Sequence, residues 1–166
     1  SDILERRVVA EESDADQAEL YHRLGVVQAE RFEEPARALG SFRMALERKP
    51  DHEGAARELE KLTDQRDLFE EAAEVLEGVY RASGRTDRLA ALYEKRVGFA
   101  ETPGERIDMR RSLAKVLEDD CSDAAAAQRV LSQGLSDDPS DPALLDELER
   151  LAPVTGDWES ASTALA

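Results

Sequence analysis

Apolar residues recur every three or four positions along nearly the whole chain. One such stripe contains Leu20 and Leu24, and the next begins with Ala38 and Phe42. This spacing predicts amphipathic α-helices, and no stretch alternates apolar and polar residues long enough to favour a β-sheet. We therefore expect about nine or ten helices of roughly 11 to 17 residues, the last of them starting near Trp158. The same pattern predicts core positions at Leu46, Leu59, Leu62, Phe69, Leu76, Leu92, Leu113, Leu131, Leu144, Leu148 and Leu151.

Residues typical of helix ends lie between these stripes. The segment Thr102-Pro103-Gly104-Glu105 combines a capping hydroxyl, a proline at the first helical position and a glutamate three residues after the cap. This combination predicts a capping box. Asp141 before Pro142, and Asp67 with Glu70, predict helix starts in the same way. Predicted helix ends lie at Pro50, Gly84, Pro139 and Gly156.

Composition restricts the core and the partners. Hydrophobic residues make up 41% of the 166 residues but aromatic residues only 5%, so the core must consist mostly of Leu, Ala and Val. The formal net charge is −16, from 38 acidic and 22 basic residues. Affinity for nucleic acid comes largely from Lys and Arg that neutralise phosphates, so we expect no nucleic-acid binding. The acidic excess favours a solvated surface, with attraction of a basic partner as the alternative.

The chain shows no signal for secretion or membrane insertion. Cys121 is the only cysteine, which rules out an internal disulfide, and we expect it to fill a turn. No basic segment precedes an apolar one at the start, and no apolar run approaches roughly 18 residues, so we expect no membrane insertion and a cytoplasmic location. The helical patterns of DILERRVV and WESASTALA at the two ends suggest that the chain is part of a longer protein.

The chain contains an internal repeat. Shifting it by 89 residues aligns residues 1–77 with 90–166 without a gap, and 17 of the 77 pairs are identical. The matches fall at packing positions and at helix ends. The aligned pairs include Glu5 with Glu94, Leu24 with Leu113, Val27 with Val116, Ala38 with Ala127, Leu46 with Leu135, Pro50 with Pro139, and Phe69-Glu70 with Trp158-Glu159. A duplication spreads similar surfaces along an axis and makes a single active cleft less expected.

Both copies carry a two-helix motif. The first reads Tyr21-x₂-Leu24-Gly25 and then Ala38-x₃-Phe42-x₂-Ala45-x₄-Pro50, and the second reads Leu113-Ala114 and then Ala127-x₃-Leu131-x₂-Gly134-x₄-Pro139. Over residues 17–64 and 106–152 this motif resembles the tetratricopeptide repeat (TPR) family, in a divergent, bacterial-type form. The resemblance implies an all-α, TPR-like right-handed α-solenoid of antiparallel helices, extending over residues 1–166 as a single segment with copies at about 1–89 and 90–166.

The resemblance also predicts how neighbouring helices pack. Small residues such as Gly25 and Ala114 let two helix backbones approach, and the large side chain of Phe42 or Leu131 fills the groove beside them. Both copies depart from the family where it has an aromatic residue after the Leu-Gly pair, at Gln28 and Leu117. A period of 89 residues holds about five helices, so either one helix per period packs differently or the inner and outer faces exchange between copies.

No residue combination in the chain indicates catalysis or metal binding. The two histidines, His22 and His52, lie 30 residues apart without the spacing typical of a metal site. The chain has no Gly-rich phosphate loop and no nucleophile motif, and Cys121 has no evident histidine partner. We therefore expect a non-enzymatic protein with no cofactor and no bound metal.

The resemblance implies a concave binding face on the first helix of each pair. Its positions are Glu19, His22 and Val26 in the first copy and Asp108, Arg111 and Lys115 in the second. From these we predict partner contacts at His22, Val26, Arg111 and Lys115.

Arg111 and Lys115 lie one helical turn apart and can together receive a partner's carboxylate, from a C-terminus or an acidic side chain. The alternative is a solvated pair that bridges to Glu118 or Asp119 on the same helix.

Three functions are compatible with these features. The first is a protein-interaction or scaffold module that binds a protein or peptide on a solenoid surface. The second is a structural spacer or self-assembly segment of a longer solenoid, and the third is an accessory domain of an enzyme whose catalytic part lies elsewhere. The copies differ at their inner-face positions, His22 against Arg111 and Val26 against Lys115, which favours specialised binding over uniform spacing.

Overall fold

The computed structural model describes residues 13–156, and within this range every regular element is an α-helix. The all-α prediction is therefore confirmed. The described residues form eight helices; the further helices predicted at the start of the chain and near Trp158 lie outside them. The bounds are α1 Asp14–Arg31, α2 Pro35–Arg48, α3 Glu53–Leu62, α4 Arg66–Ser83, α5 Thr86–Phe99, α6 Pro103–Asp119, α7 Ala124–Gly134 and α8 Pro142–Thr155.

Most predicted helix ends are present. Thr102 Oγ1 accepts a hydrogen bond from the Glu105 N–H at 3.2 Å, and Glu105 Oε2 accepts one from the Thr102 N–H at 3.2 Å, which completes the capping box. The Asp141 carboxylate accepts from the Leu144 N–H at 2.9 Å at the start of α8. Gly156 ends α8 in the left-handed conformation, with φ +75°. Local capping chemistry therefore sets these boundaries.

The predicted start of α4 is wrong. Asp67 was expected to cap the helix, but α4 begins at Arg66 and Asp67 lies within its first turn. The turn before it explains the difference, because the Gln65 carbonyl already accepts the Leu68 N–H at 3.0 Å. The backbone turn at Gln65 thus leads directly into the helix, and Asp67 lies inside the helix rather than at its N-cap.

The helices divide into two compact units, with the boundary between Ser83 and Gly84. In the first unit α1 packs on α2, α2 on α3 and α3 on α4, and α1 also contacts α3 while α2 contacts α4. In the second unit α5 packs on α6, α6 on α7 and α7 on α8.

A glycine brings α1 and α2 together in the first unit. A Cβ atom on Gly25 would lie 2.4 Å from Cε1 of Phe42, whose side chain is 1% exposed, so only glycine fits beside the ring. The Ser41 hydroxyl donates a buried hydrogen bond of 2.6 Å to Gln28 Oε1 across the same helix pair. The larger fully buried side chains of this unit are Leu39, Phe42, Leu59, Phe69, Leu76 and Tyr80.

The second unit uses a similar contact between α7 and α8. A Cβ atom on Gly134 would lie 2.8 Å from Leu144 Cδ1, so the absence of a side chain lets Leu144 pack against α7. The turn after α7 is anchored by Asp137, which accepts hydrogen bonds from Arg106 Nε at 2.8 Å and from Arg110 Nη1. The core cluster of this unit consists of Ile107, Ala114, Ala127, Leu131, Leu144, Leu148 and Leu151.

Candidate functional site

A groove of about 550 Å³ on the second unit contains the predicted binding residues Arg111 and Lys115. It is lined by residues of α6, α7 and α8, among them the buried Ala114 and Leu131. The remaining lining residues are polar, with three basic and four acidic side chains. The groove therefore combines a small apolar part with a rim of both charge signs.

Two ion pairs connect α6 with α8 across this groove. Arg111 Nε contacts Glu147 Oε1 at 2.7 Å, and Arg150 makes a bidentate pair with Glu118 at 2.7 and 2.6 Å. The hydrogen bond to Glu147 raises the pKa of Arg111, and the hydrogen bond from Arg150 lowers the pKa of Glu118. The expected alternative, a bridge from Arg111 to an acid on its own helix, is absent from the described residues because Glu147 takes the guanidinium.

Lys115 differs from the two arginines. Its side chain is exposed, and it makes no hydrogen bond or ion pair with any residue in the range 13–156. It lies one turn after Arg111 on α6, in the same groove. Both Arg111 and Lys115 were predicted to receive a carboxylate. Arg111 is already paired within the unit, whereas the charge of Lys115 is available to a ligand.

The predicted residues of the first unit lie on α1. Val26 is half-buried, one turn after His22. The His22 ring lies 6.1 Å from the Phe42 ring and 4.9 Å from the His52 ring, measured between centroids. The structure thus brings together two histidines whose separation along the chain indicated no relation.

His52 holds its position through two hydrogen bonds. As the N-cap of α3, its Nδ1 accepts the Ala55 N–H at 3.1 Å, and its Nε2 lies 3.4 Å from Glu19 Oε2. Glu19 also accepts a hydrogen bond of 2.9 Å from Arg23. Within the described range, one ligand atom from each of Glu19, His22 and His52 lies within 4.8 Å of the others. These three side chains can therefore converge on a single ion.

The surroundings set the protonation of this cluster. Burial lowers the pKa of His22, and repulsion from His52 lowers it further. Burial alone would raise the pKa of Glu19, but the hydrogen bonds from Arg23 and His52 outweigh it and lower the pKa overall. His22 is consequently neutral near pH 7, and its Nδ1 atom is buried without a hydrogen-bond partner among the described residues.

Sequence reasoning missed this cluster for a geometric reason. The spacing of Glu19 and His22 on one helix was a usable signal, because residues three apart share a helix face. The approach of His52 depends on the turn between α2 and α3, which no local spacing encodes.

No protein-family model, curated protein or solved structure matches this chain. None of the helices in residues 13–156 combines the length and the apolarity needed to cross a membrane. Cys121 lies in the turn after α6, as expected, where burial raises the pKa of its thiol. The groove and the histidine cluster are therefore interpreted from their own chemistry.

Proposed function

We propose that this chain is a non-enzymatic protein-interaction module, a TPR-like right-handed α-solenoid that binds a protein or peptide partner in the groove of its second unit. The observation that carries the proposal is the environment of Lys115. This lysine is exposed and unpaired within the described part of the chain, in a groove of about 550 Å³ whose two arginines are already held by acids.

The positions of the helices support the duplication. Three helices of the first unit have counterparts that begin 89 residues later, the same offset at which the sequence matches itself. The pairs of first residues are Asp14 and Pro103, Pro35 and Ala124, and Glu53 and Pro142. A shared period for matching residues and for helix starts is what two copies of one ancestral unit produce.

Compensating side-chain volumes give further support. Gly25 faces the large Phe42 in the first unit. The corresponding positions 89 residues later hold Ala114 and Leu131, which are both buried in one core cluster. Ala114 has one methyl group more than Gly25, and Leu131 is smaller than Phe42. The two changes in side-chain volume offset each other, which keeps the packing density of the interface.

The partner that fits this groove presents a carboxylate to Lys115, either from an acidic side chain or from a chain terminus. Two acidic residues of the groove, Asp108 and Asp119, lie outside the two ion pairs and repel a uniformly acidic ligand, so they favour a ligand whose negative charge is confined to one point. A single charge pair at a partly exposed rim contributes about 0.2–1 kcal/mol, so Lys115 mainly orients the partner. The enclosed surface of the groove supplies the rest of the affinity.

An affinity-capture experiment with charge-reversed variants tests the proposal. The Lys115→Glu variant is the probe, because Lys115 has no intramolecular pair in the described range and the substitution leaves the fold intact. Arg111→Glu is less suitable, since it breaks the contact with Glu147. The matched control is Lys49→Glu, which makes the same charge change at an exposed lysine in the first unit.

Charge reversal removes the attraction to the ligand carboxylate and adds a repulsion of similar size. We therefore expect a protein retained by the parent chain and by Lys49→Glu to bind Lys115→Glu more weakly by about 0.4–2 kcal/mol, a factor of about 2 to 30. Circular dichroism of each variant checks that the helices are intact. Equal recovery with the parent and with Lys115→Glu would remove the groove as the binding site.

A further inference from the structure

The first unit contains a second kind of site, distinct from the groove that carries the proposed function. We propose that Glu19, His22 and His52 bind a divalent transition-metal ion, with Zn²⁺ as the best fit. Two imidazoles and one carboxylate are a ligand set that suits Zn²⁺, and they leave a fourth tetrahedral position for water or for a donor atom of another molecule.

The distances in the cluster suit such an ion. Zn²⁺ binds imidazole nitrogen and carboxylate oxygen at roughly 2.0–2.2 Å, so two ligand atoms at a tetrahedral site lie about 3.4 Å apart. Glu19 Oε2 and His52 Nε2 are separated by 3.4 Å. The widest separation in the cluster is at most 4.8 Å. The other two separations both involve His22, so binding requires the His22 ring to adjust relative to this pair.

The backbone brings the three ligands together from two helices. Glu19 and His22 lie three residues apart on α1 and share one face. His52 reaches the same place as the N-cap of α3. Gly54 makes room for both rings, because a Cβ atom there would lie 2.9 Å from Cε1 of His22 and 3.2 Å from Cε1 of His52.

The second unit shows what occupies the corresponding place when the histidines are absent. The positions 89 residues after Glu19, His22 and His52 hold Asp108, Arg111 and Asp141. There the Arg111 guanidinium contacts Glu147 and carries the positive charge among the acids. In the first unit the same helix position holds His22, which can bind a metal ion, and the bound ion supplies the charge that the arginine provides in the other unit.

Binding of a metal ion to His52 affects the hydrogen bond that caps the start of α3. Because His52 Nδ1 accepts the Ala55 N–H, its Nε2 carries the proton, which points to Glu19. When the ion takes Nε2, that proton leaves and Nδ1 gains one, so the cap hydrogen bond is lost. Loss of a cap shifts the folding equilibrium by roughly fivefold. That loss enters the dissociation constant and weakens the affinity for Zn²⁺ by about the same factor. Metal at about 100 times the resulting dissociation constant still favours the folded chain by roughly 100-fold.

Calorimetric titration of the full chain with Zn²⁺ alone tests the site. We expect one ion per chain at this cluster, with a dissociation constant in the micromolar range or below. The His52→Asn variant removes the ligand nitrogen and keeps a good N-cap side chain, and Glu19→Gln removes the carboxylate without changing its size. Each variant should weaken binding at least about tenfold.

The matched control is Asp141→Asn, which alters the equivalent N-cap in the second unit and should leave the affinity unchanged. Nitrogen-15 NMR of the imidazoles adds a structural readout, since Zn²⁺ should move the His52 proton from Nε2 to Nδ1. Absence of Zn²⁺ binding overturns the proposal. Binding that is unaffected by His52→Asn and Glu19→Gln overturns it equally, because the ion then lies elsewhere.

Discussion

Replacement of Gly25 by alanine tests the close contact between Gly25 on α1 and Phe42 on α2. Alanine normally stabilises a helix relative to glycine by about 0.5–1 kcal/mol. At this position the new Cβ atom would lie 2.4 Å from Cε1, 2.7 Å from Cδ1 and 2.9 Å from Cζ of Phe42. Carbon atoms in favourable contact are separated by roughly 3.5–4.0 Å, so either the ring or the helix must move by about 1 Å.

The surroundings make this movement costly. Phe42 is 1% exposed, so other atoms of the protein surround its ring. Overpacking of a filled core costs about 1–3 kcal/mol. After subtraction of the gain in helix propensity, we expect Gly25→Ala to lower the free energy of unfolding by up to about 2.5 kcal/mol.

Equilibrium urea denaturation followed by circular dichroism measures this change. The control is Gly40→Ala on α2, where a Cβ atom would meet no atom within 4 Å, and which should raise the free energy of unfolding by up to about 1 kcal/mol. Combining Gly25→Ala with Phe42→Leu should relieve the clash, with a coupling energy of about 1 kcal/mol or more. If Gly25→Ala stabilises the protein as much as Gly40→Ala does, the reasoning is refuted.

Two further predictions concern a helix cap and a histidine. Thr102→Ala should lower the free energy of unfolding by about 1 kcal/mol, while Thr102→Ser, which keeps the capping hydroxyl, should preserve it; equal losses in urea denaturation would contradict the cap. Because burial lowers the pKa of His22 below its ordinary value of 6.5, the unfolded chain binds more protons just below that pH, and stability should fall as the pH falls through this range. An NMR titration of the imidazole in metal-free buffer should give a pKa below 6.5, and a pKa at or above 6.5 would contradict the burial of His22.

Several features of the fold could be predicted because they depend on residues close in sequence. The capping box joins Thr102 to Glu105, and the cap of α8 joins Asp141 to Leu144. The apolar repeat of three to four residues predicted the helices between them. The prediction at Asp67 was wrong because the backbone turn at Gln65, and not the Asp67 side chain, sets the start of α4.

The candidate sites were predictable only in part. The pattern indicated that Arg111 and Lys115 belong to one surface, and the structure places both in one groove. It could not indicate that Arg111 is already paired, because its partner Glu147 lies 36 residues away on α8. Which of two equivalent cations is available to a ligand therefore depends on the packing of another helix.

The sequence by itself determined that the described chain is all-α and where most of its helices begin and end, because periodicity and capping act over three or four residues. Only the tertiary structure decided which side chains from different helices meet. His22 and His52 are 30 residues apart, and they approach because α3 begins beside α1 and because Gly54 has no side chain to separate the rings. Contacts of this kind follow from turn geometry and helix packing, which no short-range pattern contains.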